Sequence, residues 1–451
     1  MTSQATPESK RRSLDCSMKD GAAFSVMTGF GEQYFSPLAV ELGASNMEIG
    51  LLASVPQFIG SIVQLYTTKL AAHFRSRRRT ITNFVLFQAL TWIPLALTPV
   101  VGFMHSIPLL ILLVTLYFSS GLFVAPVWSS LMGDLVDENI RGRFFGKRNM
   151  ITGAVAFASL FTAGFILSMF PKENVLMGFG IIFSVAFLAR LASWRYLKMM
   201  DDPPNIPDKT EEFSFIEYLR KLKHTNYGKF ALYVGFMNFA VSVSGPFFTV
   251  YMLRDLDLPY MEYTILTASA ALMSFLAMTY WGSICDRCGN KRVLGICGIL
   301  VVIVPLLWLP TQNFIFLIFA QIVSGFAWAG FNLSSGNFMF DNVRPMKRTR
   351  VFSYHNVLVG TAIFFGAITG GLLAKTISTP WIFHSNLQVI FLISGLLRGI
   401  ISLVFLQRIE EVRDVENMTT KDLFLKYSGT EPVVGLTYRT ITGLHKKIRR
   451  R

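Results

Sequence analysis

Charge is what this chain of 451 residues has least of. Lys, Arg, Asp and Glu make up 15% of it, where a soluble protein carries about a quarter. That shortfall excludes an ordinary soluble globule. Cysteine is also scarce: Cys16 and Cys297 stand alone, and Cys285 and Cys288 form one CxxC in "WGSICDRCGNKRV". With no second ligand pair at suitable spacing, a structural metal site is excluded. The six histidines are scattered, and the two nearest the apolar runs, His355 and His384, have no acidic partners close in sequence. No convergent catalytic set results, so the chain does not read as an enzyme. A GxxxxGK[ST] loop is missing, which removes nucleotide-driven pumping, and nothing calls for a cofactor. The first apolar run has no small-residue cleavage site behind it and reads as a retained helix.

Apolar residues fill the gap: 52% of the chain is hydrophobic, including 41 Phe. Apolar runs recur from residue 21 to residue 407, most of them about 20 residues long, the length a bilayer core requires. Charged or turn-forming breaks divide them into twelve expected spans: 21–41, 47–70, 80–103, 107–133, 149–170, 175–197, 228–253, 261–284, 292–310, 313–340, 351–374 and 385–407. The sequence therefore predicts an all-α, multi-pass membrane protein. All but five of the 42 Lys and Arg fall in the two tails and in every second connection. Lys172, Arg254 and Lys375 lie in the other connections; Arg190 and Arg398 lie inside spans near the basic side, where snorkelling toward headgroups is expected. This bias places both termini in the cytoplasm, and the expected location is the plasma (inner) membrane. The net charge of +15 is then topogenic, with attraction to anionic lipid as a second effect. The terminal "KKIRRR" reads as a solvated or lipid-touching tail, not as a nucleic-acid contact.

The chain also repeats itself. "DLVDENIRGRFFGKRN" and "DNVRPMKRTRVFSYHN" share Asp134/Asp341, Arg141/Arg348, Arg143/Arg350, Phe145/Phe352 and Asn149/Asn356, each pair 207 residues apart. Gly153/Gly360 and Gly164/Gly371 keep that offset, while "GFGE" at 29–32 meets "GFMN" at 235–238. Two six-helix bundles follow, at 21–199 and 228–407, with an N-tail over 1–20, a Pro-rich linker over 200–227 and a basic tail over 408–451. Phe215, Leu219 and Leu222 recur in that linker at helical spacing, which predicts a short surface helix. Parallel repeats of this kind place a substrate site between the halves near the midplane.

"GSICDRCGNKR" at 282–292 resembles the loop signature of the major facilitator superfamily, G-x-x-x-D-R-x-G-x-K/R-R. Gly282, Asp286, Arg287, Gly289, Lys291 and Arg292 stand at its positions. The resemblance covers residues 18 to 407. The first-half counterpart, "TKLAAHFRSRRR", departs from the pattern, with Ala72 and His73 in place of the Asp–Arg pair. The resemblance implies that this loop is a cytoplasmic charge lock on the outward-facing state, weakened in the first half. Asp134, Asp286 and Asp341 each precede arginines by a few residues, so a gate of pairs that make and break is expected from Asp134, Arg141, Arg143, Asp286, Arg287, Asp341, Arg348 and Arg350. The alternative is plain surface decoration.

Glu32, in "MTGFGEQYFSP", is the one acidic residue expected deep in a span. It lies 11 residues past Gly21, about 16 Å along a helix and near the midplane. A charge there costs several kcal/mol unless paired, hydrated or protonated, so Glu32 is the candidate for proton coupling or cation recognition. An interhelical hydrogen bond is the alternative. The resemblance implies a cavity lined by helices 1, 4, 7 and 10, with span-1 carboxylates often coupling protons. Asn238, the repeat mate of Glu32, is expected opposite it. Ser54, Gln57, Ser61, Gln64 and Thr68 form a polar stripe on the second span. Tyr117, Trp128, Trp328, Asn332 and Asn337 are further candidates for the cavity wall. The expected activity is secondary active transport of a small solute by alternating access, coupled to protons through Glu32, by a monomer. An uncoupled facilitator, or a non-transporting receptor or assembly relative, is the alternative.

Overall fold

The computed structural model describes residues 7–67, 76–98, 100–137, 140–203, 214–379 and 382–413. The first half is built from α1 (Pro7–Phe30), α2 (Phe35–Glu41), α3 (Asn46–Gln64), α4 (Arg77–Leu90), α5 (Trp92–Ala96), α6 (Ile107–Leu135), α7 (Arg141–Ser168) and α8 (Val175–Lys198). After a short α9 (Phe215–Lys221), the second half runs through α10 (Asn226–Ser244), α11 (Phe247–Val250), α12 (Tyr260–Cys288), α13 (Asn290–Leu306), α14 (Phe314–Asn342), α15 (Pro345–Thr376) and α16 (Asn386–Phe405). Among the described residues there is no strand.

Eight helical stretches are long and apolar enough to cross a membrane: α6, α7 with its start at Arg143, α8, α10 through Asp255, α12, α14, α15 from Arg350, and α16 extended to Arg408. The other four expected spans fall on broken, short or polar helices. α13 has 17 residues, α4 gives way to α5 at Thr91, and α3 carries the polar stripe. α1 begins at Pro7, so the charged stretch expected as a tail continues the first helix. The short helix expected in the linker is α9, and its buried Tyr218 and neighbouring Leu222 pack with Val351 of α15.

Local chemistry sets the ends of these rods. Ser45 and Glu48 close a reciprocal capping box on α3. Asn313 and Ser385 cap α14 and α16 through their side chains. Between α12 and α13 the chain reverses at Gly289, whose φ of 86° is open to glycine at no steric cost.

The first helix breaks at its centre. Pro37 has no N–H to offer, and its ring crowds the carbonyl four residues back, at Gln33. α1 therefore ends at Phe30, Glu32–Tyr34 form a 3-10 turn, and α2 resumes at Phe35. Its counterpart in the second half, α10, breaks in the same way before Pro246.

Within each half, the helices pair along the lines of the repeat: α1 packs on α7 and α8, and α10 on α15 and α16. The halves meet along two seams, α3 with α15 and α7 with α12. Glycine makes the α15 contacts possible, as the "VGTAIFFGAITGG" run predicts. A methyl at Gly366 or Gly370 would overlap the Phe239 or Val243 carbonyl of α10, and one at Gly360 would press on Ser61 of α3.

Candidate functional site

Glu32 sits in the 3-10 turn at the break, half-buried. Its Oε2 accepts a hydrogen bond from Tyr117 of α6 at 3.0 Å. Tyr117 is fixed in turn: Gln88 donates to its carbonyl at 3.0 Å, and its ring meets Trp92 edge-on at 5.1 Å. Trp92 stacks on Phe35 and fills the space that a side chain at Gly31 would take. The carboxylate is therefore held by one donor inside a rigid aromatic wall. Such a group can change protonation without a change of fold.

Asn238 is half-buried, and its Nδ2 donates to Val234 of its own helix at 2.8 Å. The expected pairing across the halves is therefore not the contact that Asn238 makes.

The two buried arginines correct the sequence reading. Arg190 and Arg398 are 4% and 2% exposed and do not snorkel. Arg190 donates to Ser193 at 2.9 Å, and Ser193 donates to Asp20 at 2.7 Å. Arg148 reaches the same carboxylate at 3.6 Å. Arg398 donates to Ser394, Val301 O and Ser244. Asp20, expected at the cytoplasmic boundary, is 4% exposed. The sequence reading missed this network because the apolar run starts at Gly21. The signal present was the serine spacing, Arg190–Ser193 and Ser394–Arg398, which marks a polar inward face.

Beside the break, a cavity of about 420 Å³ lies among α1, α7 and α12, with Thr28, Gln33, Gly153, Phe157, Thr267 and Phe275 among its lining residues. A second, of about 290 Å³, lies between α3, α10 and α15 near the other break and is lined by Ala53, Ser242, Gly245 and Ala367. The repeat exchanges the helices of one for those of the other.

The two ends of the molecule differ. At the end carrying Glu41 and Lys172, polar groups bridge the halves. Tyr260 donates to Glu41 at 2.8 Å, Lys172 pairs with Asp257 at 2.6 Å, and Arg254 donates to Asn46 and the Ala44 carbonyl. Tyr34 stands 3.3 Å from Thr264, oxygen to oxygen. Toward the basic end, Asn356 donates to Gln64 at 2.9 Å on the α3–α15 seam, while Ser129 of α6 and Phe340 of α14 are exposed.

The sequence pattern described as Major Facilitator Superfamily matches residues 22–250 and 230–437, almost the whole chain. The chain belongs to the Major Facilitator Superfamily. Among curated proteins, an "MFS-type transporter" of Aspergillus terreus (strain NIH 2624 / FGSC A1156) is 26% identical over 133 residues, 30% of this chain and 24% of that protein. The match thus spans about a quarter of the relative's length. Solved structures share the fold. The nucleoside transporter NupG aligns with a TM-score of 0.65 at 14% identity, over 88% of this chain and 98% of that one. A D-xylose-proton symporter aligns at 0.68 and 12%, over 90% and 98%. A bacterial homologue of the iron transporter ferroportin, in an inward-facing state, aligns at 0.62 and 12%, over 90% and 99%. This superfamily member is a multi-pass membrane protein.

Its remaining candidate residues fall into three groups. On the α3–α15 seam, Ser54, Ser61 and Gln64 are buried and Gln57 is half-buried, so this stripe joins the halves; Thr68, like Ala72 and His73, lies outside the described residues. In the cavity-wall group, Tyr117 is buried behind Glu32. Trp128 is half-buried under the Arg148 guanidinium at 4.5 Å, Trp328 packs on Phe331 at 5.6 Å, Asn332 is exposed and Asn337 half-buried.

At the basic end, the acidic groups find distant partners. Asp134 pairs with Arg77 at 2.7 Å, and Arg77 also donates to the Pro203 carbonyl. Asp341 accepts from Arg413 and from Asn290, and Arg413 lies 3.6 Å from Asp286. The hydrogen bonds that Arg413 donates to Asp341 hold its guanidinium above the usual value. Glu411 accepts from the Lys291 amide at 2.7 Å and lies against Gly289, two positions of the loop signature. Gly282 is half-buried, Asp286, Arg287 and Arg143 are exposed, and Arg292 and Arg350 are half-buried. Arg348 turns back to the Val343 and Phe340 carbonyls. The side chain of Arg141 is not among those described.

Proposed function

We propose that this facilitator is a twelve-span secondary transporter that carries a small solute by alternating access, coupled to protons through Glu32, with both termini in the cytoplasm. The basic end is then the cytoplasmic end. Polar bridges at the opposite end, and exposed α6 and α14 surfaces at the basic end, support an inward-facing arrangement. The observation that carries the coupling is Glu32 itself: a carboxylate at a helix break, held by the Tyr117 hydroxyl beside a cavity between the halves. Helix breaks that line a cavity are where transporters keep ion and substrate sites. The cavity lining named above is neutral, with hydroxyls and one amide, which suits an uncharged solute such as a nucleoside or sugar.

The test uses purified protein in liposomes with an internal pH dye, a panel of nucleosides, sugars and amphipathic solutes, and wild type beside Glu32→Gln. Proton movement driven by one solute class in wild type and lost in the variant supports the reading. Solute movement without protons in both makes the chain an uncoupled facilitator. Absence of any transport across the panel favours a receptor or assembly role.

A further inference from the structure

The two halves build the same junction at the basic end but take its cation from different places. Arg77 is the first residue of α4, and Asn290 is the first residue of α13. Each reaches an aspartate near the end of a neighbouring helix, α6 or α14, and those aspartates are repeat mates. Arg77 pairs with Asp134 at 2.7 Å, and Asn290 donates to Asp341 at 2.6 Å. One residue further on, the Arg78 amide donates to Asp202 at 3.2 Å, as the Lys291 amide does to Glu411 at 2.7 Å. Asp202 and Glu411 both lie just past the helix that ends their half, α8 or α16. The frame is the same, but an amide stands in the second half where a guanidinium stands in the first. Asn290 satisfies a lone pair of Asp341 without neutralising its charge.

Arg413 supplies the missing charge. Its Nε and Nη2 donate to the two oxygens of Asp341 at 2.8 and 3.1 Å, the fork geometry that makes guanidinium–carboxylate pairs strong. The residues that carry it there are fixed one after another. Ile409 is buried. Glu410 exchanges two hydrogen bonds with Asn226 at the start of α10, backbone to side chain in both directions. Glu411 takes the Lys291 amide with one oxygen and the Arg413 amide with the other. Residues 409–413 thus form a strap that leaves α16, crosses the starts of α10 and α13, and ends on α14. We propose that Arg413 is the gate cation of the second half: it stands in for Arg77 and keeps Asp341 paired inside its own half while the basic end is open. This rests on the alternating-access reading and adds the strap to the gate. The Asp341 side chain is 17% exposed, and a carboxylate so enclosed is costly without an opposite charge. Without Arg413, the cations left to it are those of the first half, such as the exposed Arg143, which approach when the basic end closes. Asp286, 3.6 Å from Arg413 and 77% exposed, is well solvated and adds little.

The repeat supplies the test, because the first-half arrangement can be transplanted into the second. Spin labels are placed on cysteines introduced at Ser129 of α6 and Ser283 of α12, both exposed toward the basic end; the four native cysteines are buried. Distances are measured on purified protein in liposomes, and thermal unfolding is followed beside them, in wild type, Arg413→Gln, Asn290→Arg and the double variant. Arg413→Gln is expected to shift the distances toward the short, closed form by about threefold or more, the scale on which members of one ion-pair network couple, and to lower the unfolding midpoint. Adding Asn290→Arg returns both toward wild type, since its guanidinium opens α13 as Arg77 opens α4. A strap that merely packs would lose stability in Arg413→Gln without moving the distances, and Asn290→Arg would not restore it. Unchanged distances in Arg413→Gln, or a shift that Asn290→Arg leaves in place, overturn the proposal and leave alternating access intact. If Arg413→Gln alone does not fold, a folded double variant supports the proposal and an unfolded one overturns it. A wild type with one fixed distance at every pH denies alternating access itself, and the gate role falls with it.

Discussion

Tyr117 makes the one hydrogen bond to Glu32 seen among the described residues. A hydrogen bond to a charged group contributes about 1.5–3 kcal/mol, so Tyr117→Phe weakens the ionised form by about tenfold or more. The pH profile of transport is expected to move about one unit or more toward alkaline pH, with the thermal midpoint changed by only a few degrees. An unchanged profile would show that the hydroxyl merely packs. Arg398 gives the contrasting case. Its bonds run to Ser394, Val301, Val241 and Ser244, across three helices, so its loss is structural. Arg398→Ala leaves a cavity and unmet acceptors and is expected to cost about 2–5 kcal/mol, visible as a lowered unfolding temperature without a moved pH profile. The sequence offered both arginines but not their roles. Depth along a helix is legible from the apolar run; which face the side chain leaves from is settled by packing.

At the scale of elements, the eight long apolar helices were legible because hydropathy reports length directly. The other four expected spans fall on helices that are short, broken or striped with polar residues, where hydropathy alone does not report a crossing. The break in the first helix was not read from the sequence, where 21–41 reads as one continuous span; Pro37 is its local signal, and the packing of Trp92 against Gly31 beside the 3-10 turn comes from a distant segment. The glycines of α15 were fully legible as contact points. Gly370→Val forces the helix away from α10, at a cost of about 1–3 kcal/mol or more, and should lower both the unfolding temperature and the yield of folded protein. Gly336 on α14 has open space around it, and the same substitution there should be tolerated far better. Comparable losses at both sites would contradict the close packing of α15 on α10.

For the whole molecule, the proposed alternating access requires the bridges at one end to be individually weak. Lys172 and Asp257 are 79% and 72% exposed, and a surface pair of this kind contributes about 0–1 kcal/mol. Lys172→Ala should therefore shift the balance of inward and outward states by less than about fivefold, read as accessibility of a cysteine introduced at Thr28 in the cavity to a membrane-impermeant thiol reagent. A complete collapse of the inward state would mean that this pair is a lock and not one of several. The basic-end clusters were legible in the repeated aspartates but not in their partners, because Arg77 and Arg413 come from distant segments that only folding brings together.

In the proposed cycle, protonation of Glu32 biases which end of the molecule is open. Spin-label distances test it most directly, with one pair across the basic end, at Ser129 and Phe340, and one across the opposite end, at Glu173 and Ser378, each measured across a pH series in liposomes. The two distances are expected to change in opposite directions, their balance to depend on pH in wild type, and Glu32→Gln to remove the pH dependence. Distances that stay fixed or move together, or a pH dependence that survives Glu32→Gln, would contradict it.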